Sequence, residues 1–335
     1  MINSIVSCKQ VLKTPEIQAH LNSSNKWWSN YIFHFSHVVN VASILNNNKL
    51  YSREQLDKFG LSNLNDNASQ EVMEGTDDKY KDYVRFYFRP LTPTQYHNEG
   101  IRANQEITEL NAHCPVPVFL LFDTALLDEK NTEFSYESLA SHHYVELYSG
   151  KEALALAPFH HIYHNESTYG LDGSLIRKRR HAEIVVKQEC DLRYLNKIVC
   201  RNDAEARTLK TLLTEEALDL YENMICIVGV DEFDTNNPDT IFRNTYLQIL
   251  WVSLSSTKCV FHFNKQCNHN RELLIEFLDE DNKQICYVHD KNFTIHKSKT
   301  FSVVKLDKYL EDKKVVTVKA FLDNHLVFMN RFKRK

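Results

Sequence analysis

The sequence predicts an α+β half, residues 1–235, followed by an all-β half, residues 236–335. Three observations carry this division. Helix-like and strand-like patterns alternate as far as Val230, whereas from Thr245 onward strand signals recur about every ten residues. The charge balance reverses at the same place. Of the 40 basic and 44 acidic residues, 23 basic and 33 acidic precede Asn236 and 17 basic and 11 acidic follow from there, so the net charge of −4 is made of −10 and +6. All seven glycines lie before Asn236, and the segment between the halves, Asp231 to Thr240 (DEFDTNNPDT), has the polar, turn-rich character of a linker.

In chain order, YIFHF (Tyr31 to Phe35) reads as a strand, and HVVNVASILNNNKL as a short helix with Val38, Ala42 and Leu45 on one face. Ser62 to Asp82 is polar and poor in apolar residues, which predicts a mobile loop. YVRFYF (Tyr83 to Phe88), VPVFLLF (Val116 to Phe122), AEIVV (Ala182 to Val186) and LNKIVC (Leu195 to Cys200) read as further strands. Asn202 or Asp203 then caps a helix to about Tyr221, with Leu209, Leu212, Leu213, Ala217 and Leu220 spaced for one buried face. MICIVGV (Met224 to Val230) closes this half as a strand. Beyond the linker come TYLQILWVSL, CVFHF, ELLIEFL, QICYVH, FSVVKL, VVTVKAFL and HLVFMNRF, with hairpin turns at Asp279 to Asn282 and Asp323-Asn324. A β-sandwich is the natural reading of this second half.

Composition excludes several sites. With 7 glycines in 335 residues, neither a GxGxxG dinucleotide loop nor a GxxxxGK[ST] phosphate loop occurs. The longest apolar run, Val116 to Phe122, is far short of the roughly 20 residues that span a bilayer. MINSIVSCKQVLKTP lacks a basic start followed by an apolar core, so the expectation is a protein of the cytoplasm without a membrane partner. The 8 cysteines form no CxxC pair and several lie in apolar strand-like runs, which predicts reduced core thiols. Histidine pairs at 142–143 and 160–161 with His164, and the set Cys259, His262, Cys267, His269, raise a metal reading. Cys259 and His262 face opposite sides of an extended strand, however, so a tetrahedral site there would need a bulge, and no metal is expected.

Two features carry chemistry on the bare sequence. The lone carboxylate Glu183 in AEIVV either points outward to water or is held inward for a purpose. The run Arg177, Lys178, Arg179, Arg180, His181 leads straight into that strand and is either a solvated charge run or a place for a phosphate backbone to pass.

Four segments in this order and spacing, IFHFSHVVNVASILNNNKL, DYVRFYFRPLTPTQYHNEG, VPVFLLF and RKRRHAEIVV followed by a strand and helix, resemble the DarT family of toxins from toxin–antitoxin systems. The resemblance covers about residues 30–225 and leaves the second half outside. It implies an ADP-ribosyltransferase-like split-sheet domain, with NAD+ as substrate in a cleft between two small sheets. ADP-ribose would pass to a base of single-stranded DNA with loss of nicotinamide. The same chemistry on an RNA base, or an inactive relative that binds nucleic acid or an antitoxin, are the alternatives. Cleavage of the nicotinamide–ribose bond develops positive charge on the sugar, which a nearby carboxylate stabilises. Glu183 aligns with the family's catalytic glutamate and would also accept the proton of the attacking base nitrogen.

His34 matches the family's histidine at the NAD site, and Ser36 and Asn40 match neighbouring positions at the nicotinamide end, though Asn40 equally suits a local cap. Family members carry an arginine for the NAD phosphates between the first helix and the DYV strand. Here Glu54 to Asp82 contains none. Arg53, otherwise an ordinary surface residue, and Arg89 in YFRP are the candidates in its place. On the acceptor side, Gln95, Tyr96 and Tyr148 are candidates to read or stack an unpaired base, with Arg179, Arg180 and His181 beside the backbone. An antitoxin protein is the further partner implied, and the lysines of the second half suit either nucleic acid or an acidic antitoxin.

Overall fold

The computed structural model describes residues 6–61, 80–102, 113–140 and 144–334. The first half contributes β1 (Tyr31–His37), β2 (Lys49–Tyr51), β3 (Tyr83–Tyr87), β4 (Pro117–Asp123), β5 (Thr132–Phe134), β6 (Glu183–Lys187), β7 (Glu189–Asp191), β8 (Leu195–Cys200) and β9 (Ile225–Ile227). Seven of these make one sheet in the order β5-β6-β3-β1-β4-β8-β9, and β2 pairs with β7 alone. Central β4 is buried from Pro117 to Phe122, as an apolar run covered on both faces must be. The helix Val38–Asn46 packs Val38, Val41, Ala42 and Leu45 into the core, matching the face expected from its spacing.

The pairing within this sheet is uneven, and the unevenness sets the site. Every residue of β1 pairs with β4, and every residue of β3 pairs with β6. Between β1 and β3 there is a single rung, Phe33 with Tyr87. The sheet is therefore two smaller sheets hinged at one rung, and beyond it the strands splay.

Two expectations are corrected. The helix predicted to run to Tyr221 breaks into Asp203–Leu212 and Glu215–Tyr221. Thr214 begins the second piece by accepting from Ala217 N (3.2 Å), and Asn46 takes up both groups freed at the break, donating to Leu212 O (3.1 Å) and accepting from Thr214 N (2.9 Å). The new helix phase leaves Leu220 61% exposed. The second correction concerns Asp231 to Thr240, which is a strap packed on the first half. Asp234 accepts from Tyr31 Oη (2.9 Å), Phe233 meets the Trp27 ring, Thr240 O accepts from Trp28 Nε1 (3.1 Å), and Ile241 and Phe242 just beyond are fully buried. The polar stretch predicted as a loop lies outside the described residues up to 79; from Tyr80, which is buried, the chain is ordered into β3.

The second half holds β10 (Ile249–Leu254), β11 (Lys258–Phe263), β12 (Cys267–Leu278), β13 (Gln284–Ile295), β14 (Thr300–Val304), β15 (Val315–Leu322) and β16 (His325–Lys333). They form two sheets, β10-β11-β14 and β13-β12-β15-β16, whose inner faces meet through Phe261 against Phe328 and Phe293 against Phe263 and Phe301. Asn282, Asp323 and Asn324 take the positive φ angles that tight hairpins need. The halves share one hydrophobic core, and Met329 N of β16 donates to Thr208 Oγ1 on the helix Asp203–Leu212 (3.0 Å). All eight cysteines are free thiols, seven of them buried.

Candidate active site

His34 sits where β1 and β3 part. Its Nδ1 donates to Arg85 O at 3.0 Å, so an imidazole replaces the missing backbone rung. A carbonyl can only accept, which fixes the proton on Nδ1 and leaves Nε2 as an acceptor. Burial lowers the His34 pKa from its ordinary value, so the ring is held neutral. Ser36, two residues on and so on the same side of β1, accepts from Asn40 Nδ2 at 3.1 Å, joining the strand end to the first turn of the following helix.

Glu183 opens β6 directly opposite Tyr87 and is 1% exposed. The inward of its two sequence readings is the one observed. Its Oε1 accepts from Ser138 Oγ and from Leu139 N, each at 3.0 Å. Its Oε2 has no hydrogen-bond partner among the described residues and faces Arg85 Nη1 at 3.6 Å. One oxygen is thus clamped and the other, without a hydrogen bond among the described residues, faces the Arg85 guanidinium. Burial, with the Glu183 carboxylate second, pushes the facing Tyr87 hydroxyl well up.

Arg85 was missed by sequence reasoning. It joins the two halves of the site: its carbonyl holds His34 and its guanidinium faces Glu183. The signal lies in YVRFY, where Val84 and Phe86 are buried and Tyr83, Arg85 and Tyr87 share the other face. Arg53 opens the helix Arg53–Lys58 behind Ser52, whose N–H is held by Gln188 O (2.7 Å). This puts Arg53 at the Lys187 end of the ladder, ~13 Å along the strand from Glu183 at the usual rise per residue.

Arg89 is corrected outright. It is 1% exposed and its guanidinium donates to Pro90 O, Ile162 O, His164 O and Asn165 Oδ1 while lying 4.5 Å over the Trp28 ring. Four of its five N–H donors serve the fold. Gln95 is likewise internal, 1% exposed, accepting from Leu91 N and donating to Glu99 Oε2 and Ile241 O. Tyr96 is exposed and carries Arg243 over its ring at 4.0 Å.

Tyr148 stacks on Tyr136 with centroids 4.3 Å apart and planes at 9°, and its hydroxyl donates to Glu146 (2.7 Å), which pushes its pKa up to about 12. This stack stands beside Glu183, since Ser135, next to Tyr136, donates its N–H to Glu183 O (2.8 Å). Arg179 donates to Tyr136 O (3.3 Å). Arg180 Nη2 donates to His164 Nδ1 and Glu166 O while its buried Nε has no hydrogen-bond partner among the described residues, and His181 Nδ1 donates to Arg177 O, with burial lowering its pKa to about 4. Of the basic run, Arg177 and Lys178 are exposed, and Lys178 pairs with Glu137. Among the described residues no group of three or more His, Cys, Asp and Glu side chains is gathered that would hold a metal, and no helix is long and apolar enough to cross a membrane.

A family model described as "ssDNA thymidine ADP-ribosyltransferase, DarT" matches residues 33–225, more than half of the chain. The chain belongs to the DarT family. It is accordingly an ADP-ribosyltransferase, and the match takes in both His34 and Glu183. Among solved structures, Thermus sp. 2.9 DarT in complex with ADP-ribosylated ssDNA is similar at 18% identity and a TM-score of 0.46, over 59% of this chain and 93% of that one. The same protein in complex with NAD+ gives 18% identity and a TM-score of 0.44, over 59% and 94%. Thermosipho africanus DarTG in complex with ADP-ribose gives 14% identity and a TM-score of 0.44, over 59% of this chain and 49% of that one. No curated protein matches the sequence significantly.

Proposed function

We propose that this DarT domain transfers ADP-ribose from NAD+ to a thymine of single-stranded DNA, that Glu183 is its catalytic carboxylate, and that the chain acts as a toxin restrained by an antitoxin protein. The observation that carries the reading is the divided carboxylate of Glu183, with Oε1 clamped by Ser138 and Leu139 and Oε2 unbonded beside Arg85. As the bond from ribose C1′ to nicotinamide breaks, its electron pair leaves with nicotinamide and cationic charge grows on the sugar. A fixed carboxylate oxygen stabilises that charge without reorganising. The base nitrogen then bonds to C1′, and its proton passes to Oε2. His34, held neutral with Nε2 as acceptor, suits a ribose hydroxyl, with Ser36 and Asn40 beside it.

Arg85 orients the free oxygen of Glu183, and an intact pair of His34 and Glu183 argues against an inactive relative. The Tyr136–Tyr148 stack offers an unpaired base a flat neighbour, and Arg179 stands near it for a phosphate. A duplex hides both the base face and its ring nitrogen, hence the single strand. The family description names DNA, and thymidine among its bases, which favours both over RNA.

The test is to incubate the chain with NAD+ and single-stranded oligonucleotides that contain or lack thymidine, beside RNA of matching sequence, and to read adducts by mass spectrometry. One ADP-ribosyl group on thymidine-containing DNA alone is expected, with an equal amount of nicotinamide. Labelling of RNA alone, or of no oligonucleotide, refutes the assignment. Expression should arrest growth unless the antitoxin is present, and harmless expression of the active chain refutes the toxin role.

A further inference from the structure

The sheet β10-β11-β14 lies outside the family match and has one face in the core, formed by Ile249, Val252, Cys259, Phe261, Phe263 and Val303. Its other face is open. Trp251 there is 46% exposed and stacks flat on its cross-strand partner His262, with centroids 4.3 Å apart and planes at 15°. Val304, at 58% exposure, lies on the outer strand β14. The three strands and the turns at their ends, residues 249–266 and 296–306, carry Lys258, Lys265, Lys297, Lys299 and Lys305 and not one aspartate or glutamate. All five lysines are exposed.

An indole left nearly half open forgoes burial that a core position would give, and here it is held flat by a second ring. The charge carried by these strands and turns has one sign. We propose that this face is a second binding site, for single-stranded nucleic acid, with unpaired bases stacking on the Trp251–His262 platform and phosphates meeting the lysines. Stacking tolerates any base, and lysines meet phosphate as point charges, so the site would hold the strand without reading it. An acidic polypeptide would satisfy the lysines but make no use of the paired rings. The inference goes beyond the transfer reaction and does not rest on Glu183; a chain with no transferase activity would still bind here.

The full chain is titrated with a labelled single-stranded oligonucleotide lacking thymidine, following anisotropy and intrinsic tryptophan emission. Trp27 and Trp28 are buried, so quenching reports Trp251. Saturable quenching is expected. Trp251→Ala should abolish it and weaken binding about tenfold, the size of one lost base stack. Lys258→Gln with Lys299→Gln should reduce the log–log salt slope by roughly 1.4. Glu183→Gln should leave all of this unchanged, which separates failure here from failure of the catalytic reading. Equal affinity of wild type and Trp251→Ala overturns the site. So does equal quenching by polyglutamate, which would mark a surface for acidic protein, or self-association of the chain that Trp251→Ala abolishes.

Discussion

Replacing Arg85 with alanine removes the cation that faces the free oxygen of Glu183. Arg85 Nη1 stands 3.6 Å from Oε2, where two unit charges attract by about 4–5 kcal/mol at an effective dielectric of 20. The guanidinium is 27% exposed and the carboxylate 1%, so water replaces part of what is lost. A net loss of about 2 kcal/mol follows, roughly 30-fold in rate. Oε1 keeps its bonds to Ser138 and Leu139, so the carboxylate stays in place while Oε2 loses its orientation. The loss should therefore fall on kcat, with KM for NAD+ changed little. Arg85→Lys should recover part of it, since charge returns without the planar fork. The assay is steady-state nicotinamide release at saturating single-stranded DNA, with thermal unfolding as a check on folding. A rate within twofold of wild type refutes the role. A change confined to KM shows that Arg85 grips the substrate and not the carboxylate.

Arg89→Met should lower stability by about 3 kcal/mol in urea unfolding, because it strips donors from three carbonyls and an amide oxygen in the core, while the KM for NAD+ of the folded protein stays near wild type. Burial holds His37 and His113 neutral, with pKa values lowered to about 3. Because the unfolded chain binds these protons near pH 6.5 and the folded one does not, stability is full above about pH 6.5 and falls toward pH 3, by on the order of 2 kcal/mol for each histidine at pH 5. Urea midpoints at pH 7 and pH 5 measure this, and His113→Asn should shrink the difference; a flat profile refutes it. Tyr148→Ala should raise the KM for single-stranded DNA about tenfold through loss of the stack. Tyr148→Phe should change it little if the ring face is what matters, and equal effects of the two would place the contribution in the hydroxyl bonded to Glu146.

The longer strands were legible because each carries its own apolar pattern, whereas the three-residue strands β2, β5 and β7 were not; Glu183 stood out because it interrupts such a pattern with a polar group, and His34 came only with the resemblance. Arg85 interrupts one too, but the resemblance directs the search for an arginine to the variable segment before β3, and to a phosphate partner, not to a partner of Glu183. Arg89 looks alike on paper, and what separates the two is tertiary. The Ile162 and His164 carbonyls and the Trp28 ring that hold Arg89 are distant in sequence, whereas Arg85 alternates onto the face of β3 that meets Glu183. Composition likewise cannot tell a tether from a strap. DEFDTNNPDT is polar enough for either, and what fastens it is Tyr31 and Trp28, some two hundred residues earlier. The helix break at Leu213 had a local signal in Thr214-Glu215-Glu216, a cap followed by acidic first-turn residues, but the leucine spacing across it masked the change of phase.

The central claim is that Glu183 is the group on which transfer depends. Glu183→Gln keeps the shape and an oxygen to accept from Ser138 and Leu139 while removing the negative charge and the proton acceptor. Single-turnover transfer from NAD+ to thymidine-containing single-stranded DNA should fall by a factor on the order of 10³, with NAD+ affinity and thermal stability close to wild type. Transfer by the folded variant within tenfold of wild type would contradict the account.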